Sequence, residues 1–451
     1  MKIPCAAHLP FIVSGPAFLQ PALTNSQFYN LTLTATALVL GSKFCLSEIN
    51  RMRLEEKCVS TLSHFMPHAK FSTDEMQHLY ALQVMRLYKI KSGYFIIDNT
   101  MRHHTNYCKW IHGVFVLFDH AFKTSLKAVC IVVLYYSGGE PVKFPVKHEI
   151  YYKDTDNMPW QQGKQSVCIS KYDLAVKMLE WAVSNGFPKC IVPADSWFGI
   201  GPFIKELKRL NLSYVVEIKN TYTVRTPCKK PKLAPEGRLA KNQYDLATLP
   251  NVFKNILMFT ECGFDADKEK GRKEKTIYHT KIITGRLNST AGKHRIVQSM
   301  DPARQTAKYP LTGQLTWEAA KIISVYSHRW VIEEFFRNAK QLTDMEGAAI
   351  RSGQGVTLAL CLVSWIDFLH FENYRQSTAG ELSKESLTIP SIVRQAQYEN
   401  MEAFADTVQN DEDFLKKWFE AEKKNLIRKR KKPKELIIIE KAVEEQLDQA
   451  A

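Results

Sequence analysis

Residues 326–340 read YSHRWVIEEFFRNAK, and Tyr326, Arg329, Glu333 and Lys340 stand three, four and seven residues apart. At about 100° per residue these four side chains fall within an arc of roughly 60°, with Arg337 in the same stripe. Val331, Phe335, Ala339 and Leu342 lie opposite, so a single helix would turn an apolar back to a core and a front with one carboxylate among cations and a phenol. A carboxylate holds a divalent cation while Arg and Lys grip phosphate oxygens, so that front suits a metal-bound phosphodiester. Most polar helix faces merely meet water. The weight of the motif therefore depends on other carboxylates placed to share a metal.

Two acids meet that condition. YFIID ends in Asp98 and is followed by Asn99 and Thr100; KCIVPAD ends in Asp195 and is followed by SWFG. Short β-branched and aromatic runs without alternation suit strands covered on both faces, and an acid at the terminus is then aimed at a sheet edge or crevice. A capping or turn Asp is the plainer reading of each one alone. GVFVLFDH at 113–120 and KAVCIVVLYY at 127–136 read as two further strands of an antiparallel meander. YDLAVKMLEWAVSNG then has helical period and leads into the strand ending at Asp195, and GPFIKELKRL at 201–210 precedes SYVVEIK at 213–219. The order strand-strand-strand-helix-strand-helix-strand predicts an α/β fold, a mixed five-stranded sheet with helices packed on it.

With these residues in hand, the chain resembles the DDE transposases of bacterial insertion sequences, in the branch with a Tyr-Arg-Glu-Lys motif on the last catalytic helix. The similarity spans roughly residues 90–355. It implies a ribonuclease-H-like core with a β-rich insertion between the second Asp and the Glu. Carried over by position, it makes Asp98, Asp195 and Glu333 the catalytic, metal-binding triad, and it sets Tyr326, Arg329 and Lys340, with Arg337 beside them, at the DNA near the cleaved phosphate. The family often has a second Asp after the first, where this chain has Asn99. Asn keeps the shape and an acceptor oxygen and loses a charge. Some relatives hold a flipped base with an aromatic residue of the insertion; residues 220–316 contain no Trp, only Tyr and Phe such as Tyr222, Tyr244 and Phe264. Hairpin formation is left open.

The resemblance implies two divalent cations, Mg²⁺ with Mn²⁺ as a substitute, since an all-carboxylate site is hard and oxygen-rich. The implied reaction is cleavage at the transposon end followed by attack of the freed 3′-hydroxyl on target DNA. The partners are double-stranded DNA, both terminal inverted repeats and target, and a second copy of the chain in a synaptic complex. An inactive or domesticated end-binding protein, and a ribonuclease-H-like nuclease or resolvase without strand transfer, are the competing readings.

Sixty-one Lys and Arg against forty-six Asp and Glu leave +15, with a pI near 9.2, which favours a polyanionic partner. Basic runs stand at 225–232 and 423–434. The expected division is a helical N-terminal DNA-binding region at 1–88, the catalytic domain at 89–220 and 317–375, the insertion at 221–316, and a helical basic region at 376–451. Residues 31–53 have a helix-Gly-helix rhythm like a helix-turn-helix or a plain helical hairpin. The apolar stretch at 31–40 is interrupted by three Thr and is too short to span a bilayer, so the chain reads as cytoplasmic, DNA-associated and without a membrane partner. Ten Cys stand singly with no Cys-x-x-Cys pair, which excludes that zinc or redox motif. His103 and His104 read as a polar turn after the first acidic strand, with phosphate contact rather than metal ligation.

Overall fold

The apolar run at 31–40 becomes the innermost helix of the N-terminal region. In the computed structural model, which describes residues 3–6, 8–53, 60–68, 70–105, 110–120, 122–138, 142–153, 169–228, 243–264, 276–301, 305–347, 350–378 and 388–427, that region holds α1 (Pro10–Ser14), a 3₁₀ segment (Gly15–Ala22), α2 (Asn25–Val39), α3 (Leu46–Arg51), α4 (Ser60–His68) and α5 (Thr73–Tyr88). Thr24 and Gln27 close a capping box at the start of α2. Every residue from Asn30 to Val39 is buried, and the threonine hydroxyls bond back along the helix, Thr32 to the Phe28 carbonyl at 3.0 Å and Thr34 to that of Asn30 at 2.7 Å. The chain then turns at Gly41, whose φ of +83° favours glycine. A recognition helix must leave one face for a groove. From Asn30 to Val39 α2 leaves none, and α3 is six residues long with Ile49 buried, so the pair forms a plain helical hairpin with α2 inside.

The sheet begins with β1 (Tyr94–His104), β2 (Val114–Asp119), β3 (Thr124–Ser137) and β4 (Lys143–Ile150). β1 pairs antiparallel with β3 over its whole length, from Tyr94↔Ser137 to His104↔Lys127, so the strand runs on past Asp98 instead of ending there. From Ala128 to Ser137 every residue of β3 is buried, as a strand covered on both faces requires. β4 was not expected, because KFPVKHEI carries Pro145 and three charged side chains. It pairs with β3 across a register shift at Leu134/Tyr135, where Pro145 stands opposite Tyr135.

α6 (Lys171–Ser184), β5 (Val192–Ala194), α7 (Gly201–Arg209) and β6 (Tyr214–Glu217) follow, then β7 (Thr223–Pro227), β8 (Tyr244–Thr248), α8 (Leu249–Lys254), β9 (Thr260–Phe264), β10 (Thr276–Gly285), β11 (His294–Asp301), β12 (Thr306–Lys308) and β13 (Pro310–Thr312). The expected five strands lie contiguously in the order β2-β3-β1-β5-β6, with β1, β5 and β6 parallel. The sheet does not stop at five. β13 adds to the open edge of β6 through Leu311↔Val216, and β11, β10 and β9 continue the row, which with β4 on β3 and β12 on β11 makes an eleven-stranded sheet. The unpaired edge of β6 supplies the reason, since a buried strand needs both rows of backbone partners. β7 and β8 form a separate ribbon.

α9 (Ala319–Ser327), α10 (Trp330–Leu342), α11 (Gly353–Thr378), α12 (Ile389–Asn410) and α13 (Glu412–Ile427) complete the chain. One cluster of buried side chains runs from Cys5 to Ala396, so the N-terminal helices, the sheet and α11 share a core. Residues Gly353–Asn373 are long and apolar enough to cross a membrane, but 89% of that stretch is buried against the rest of the chain. A large mixed sheet with flanking helices is compatible with a ribonuclease-H-like fold. Of the basic runs, 229–232 and 428–434 lie outside the described residues.

Candidate active site

Parallel pairing sets the first part of the site. Ile97 stands opposite Ala194 and Ala194 opposite Val216, so one residue further on Asp98, Asp195 and Glu217 form a row across β1, β5 and β6. β5 ends there because Asp195 starts a tight turn: its Oδ1 accepts the Trp197 N–H at 3.0 Å, and its carbonyl accepts that of Phe198 at 3.2 Å. Asp98 Oδ1 accepts the Asn99 N–H at 2.7 Å. Glu217 was not singled out from the sequence. Its signal is the same as that of the other two, an acid closing the apolar run YVV.

Glu333 comes from the motif segment, which is two helices where one was expected. α9 ends at Ser327 and α10 starts at Trp330; between them Arg329 N–H bonds to the Tyr326 carbonyl at 3.1 Å and Val331 N–H to that of His328 at 3.2 Å. These three-residue bonds tighten the turn without leaving right-handed helical backbone. The apolar back is as the period implies, with Phe335 and Ala339 buried alongside Ile332 and Phe336.

Arg329 ties the two parts together. Its Nη1 donates to Asp98 Oδ2 at 3.2 Å and its Nη2 to Glu333 Oε1 at 2.6 Å, and its side chain is only 8% exposed. Tyr326, on α9, is buried, and its hydroxyl donates to the Glu217 carboxylate. Lys340 lies further along α10, with Nζ 2.8 Å from Glu346 Oε1 and 3.4 Å from the Met101 carbonyl on β1. Arg337 is exposed, with Glu334 at 4.0 Å. The structure therefore gathers Asp98, Glu333 and Arg329, with Asp195 beside Asp98, and links Tyr326 to them through Glu217. Arg337 and Lys340 stand apart as the outward cations of the motif.

Burial, and next the Asp195 charge, push Asp98 up to about 7 against the pull of Arg329. Burial raises Asp195 also, Arg329 and the Trp197 and Phe198 N–H groups opposing it. Tyr326 is raised by burial and then by Glu217, so its hydroxyl keeps its proton. Among the described residues no three His, Cys, Asp or Glu side chains converge closely enough to hold a metal ion as they stand. The donor set nevertheless fits a hard divalent cation: the acids are all carboxylates, and a cationic guanidinium already sits between two of them.

His103 and His104 lie on β1, not in a turn, because the pairing with β3 carries the strand through them. His103 Nε2 is 2.7 Å from Asp119 Oδ2 on the neighbouring hairpin. His104 is held neutral, lowered to about 4 by burial and then by Arg102. Neither meets the carboxylate row in a described contact.

Residues 51–255 match the family described as DDE superfamily endonuclease, and residues 170–366 match the family described as transposase DDE domain. The first stretch contains Asp98, Asp195 and Glu217, and the second Asp195, Glu217 and Glu333. No curated protein matches the chain. The two matches support a DDE transposase, a nuclease-type enzyme acting on DNA.

Proposed function

We propose that the protein is the transposase of a bacterial insertion sequence, of the Tyr-Arg-Glu-Lys branch, which cuts the phosphodiester at each transposon end and joins the freed 3′-hydroxyl to target DNA. The observation that carries this is Arg329 bridging Asp98 and Glu333, with Asp195 on the parallel strand next to Asp98. Asp98, Asp195 and Glu333 are the ligands for two divalent ions, Mg²⁺ or in its place Mn²⁺. Bound there, such ions activate the attacking hydroxyl and stabilise the leaving oxygen.

The chain's own residues do the rest. The Asp195 turn and the β1 backbone hold two carboxylates on rigid strands, and α10 brings the third. Arg329 keeps Asp98 and Glu333 oriented. Arg337, exposed on α10, and Lys340, half-buried one turn on, hold the DNA backbone, while Tyr326 supports the site through Glu217. Both ends must be cut and joined together, so the working unit is a homodimer on paired terminal inverted repeats, in the cytoplasm and on DNA. On this reading residues 89–220 and 317–375 are the catalytic domain, 221–316 the insertion, and 1–88 and 376–451 the flanking regions.

The test is an assay with Mg²⁺ or Mn²⁺, the DNA ends flanking this gene and a supercoiled target, with wild type run beside Asp98→Asn, Asp195→Asn and Glu333→Gln. Joined products that vanish in each variant while end binding persists are expected. Cleavage retained by any one variant removes that residue from the triad, and end binding without cutting by wild type makes the protein an inactive DNA-binding relative.

A further inference from the structure

Lys171, at the start of α6, is a cation whose contacts among the described residues are all with neutral groups. Its Nζ donates to Asn99 Oδ1 at 2.7 Å and lies 4.8 Å from the centre of the Trp197 ring and 5.5 Å from that of Tyr151. No carboxylate among the described residues pairs with it. An ammonium held by an amide and two π faces has donors left for an anion. Trp197 is 46% exposed two residues past Asp195, and its N–H is the donor that fixes the Asp195 carboxylate. Its exposed indole is an amphipathic surface on which a flat ring can stack. The ring continues outward to His120, 6.3 Å away, and from there to Phe118, itself half exposed.

We propose that Lys171 and Trp197 form a nucleotide subsite on the α6 side of the catalytic carboxylates, Lys171 taking a phosphate and Trp197 stacking on an unpaired base next to the cleaved bond. This rests on the functional reading above. It assigns a purpose to Asn99: an Asp there would sit in the same place, pair with Lys171 and cancel its charge, whereas the amide positions the ammonium and leaves the charge for DNA. Stacking is indifferent to base identity, since every base offers a π face, so the subsite grips the strand without reading it.

The test is binding by the full chain in EDTA, across a salt series, to two fluorescein-labelled duplexes with the end sequence flanking the gene, one blunt and one with a three-nucleotide single-stranded overhang. Lys171→Gln is expected to lower the slope of log affinity against log salt by about 1 on the blunt duplex, with Lys171→Arg retaining it. Asn99→Asp is expected to lower the slope as much, and in the Lys171→Gln background to lower it no further. Trp197→Ala is expected to lose on the order of tenfold on the overhang duplex with little change on the blunt one, and Trp197→Phe to keep most of that affinity. A Lys171→Gln slope equal to wild type, or overhang binding by a folded Trp197→Ala protein equal to wild type, overturns the subsite while leaving the functional reading in place. Failure of wild type to bind either duplex overturns both.

Discussion

Asp367 is a buried acid behind the catalytic helix, and replacing it with Asn should reshape the pH dependence of stability. It sits on α11 facing α10, with the Tyr135 hydroxyl 3.4 Å from its Oδ2 and the Lys143–Glu334 pair, 3.0 Å apart, lining the same small cavity. Burial pushes it up to about 7, with Lys143 and the Tyr135 hydroxyl pulling down and Glu334 pushing up. In the unfolded chain an Asp titrates near 3.8. Between those two values the native state keeps a proton that the unfolded state has lost. The acid's contribution is therefore full below about pH 4 and is lost as pH rises through about 7. At 1.36 kcal/mol per unit the whole window is worth about 4 kcal/mol, of which about 3 kcal/mol falls between about pH 5 and about pH 8. Asn keeps the shape and removes the titration. Urea unfolding of wild type and Asp367→Asn at both ends of that range should show the variant gaining about 3 kcal/mol on wild type as pH rises. A difference that stays flat with pH would refute the assignment of a neutral Asp367.

Tyr326→Phe leaves the Glu217 carboxylate without its hydroxyl donor and should cost about 1–2 kcal/mol in urea unfolding, while Glu217→Gln in the same background should cost little more, because the lost bond is shared. Arg329→Met leaves Asp98 and Glu333 facing each other without a cation, at about 3 kcal/mol, the lower end for a broken pair because the Glu333 side chain is 38% exposed. Mg²⁺ should then raise the melting temperature of Arg329→Met by more than it raises that of wild type; an equal rise would mean that the guanidinium does not occupy the cation's place. Arg337→Ala and Lys340→Ala should each lower the salt slope of end binding by about 1, and an unchanged slope would remove that side chain from the DNA backbone.

How much of this was legible depends on the range of each signal. Asp98 and Asp195 stand out because each closes an apolar run, a local pattern; that they are neighbours depends on Ile97 pairing with Ala194, a register no single stretch contains. Glu217 carries the same local pattern but is followed by Ile218, so the run seems to continue through it. Helical period puts Tyr326 on the stripe with Glu333, but that assumes one straight helix. The tight turn at His328 and Arg329 is invisible to a 3.6-residue period, and it leaves Tyr326 pointing into Glu217. β4 escaped because charged residues and Pro145 mask it, and the long sheet because three-residue strands such as β13 are too short to show a period. The helix-Gly-helix rhythm of residues 31–53 left a helix-turn-helix and a plain hairpin both open, because the threonines of α2 count as polar, yet a buried hydroxyl can be satisfied by its own helix.

The strand register also sets the electrostatics of the site. The pairing of three parallel strands places Asp98, Asp195 and Glu217 in one row, and a row of carboxylates across neighbouring strands repels itself. Each acid has a different remedy. Asp195 takes backbone N–H groups from its own turn, Glu217 takes the Tyr326 hydroxyl with Lys308 4.0 Å away, and Asp98 takes Arg329. The remedy for Asp98 is incomplete, since it must share that guanidinium with Glu333 and lies deepest. A buried carboxylate still raised to about 7 beside a shared cation marks the place where more positive charge would lower the energy most. Asp195 and Glu217 accept from neutral donors that no incoming cation displaces, whereas the hydrogen bonds of the Arg329 guanidinium run to the two carboxylates it neutralises. A divalent ion bound between Asp98 and Glu333, as proposed above, would therefore have one side chain to move, and the frame of β1, β5 and α10 could stay where the fold has put it.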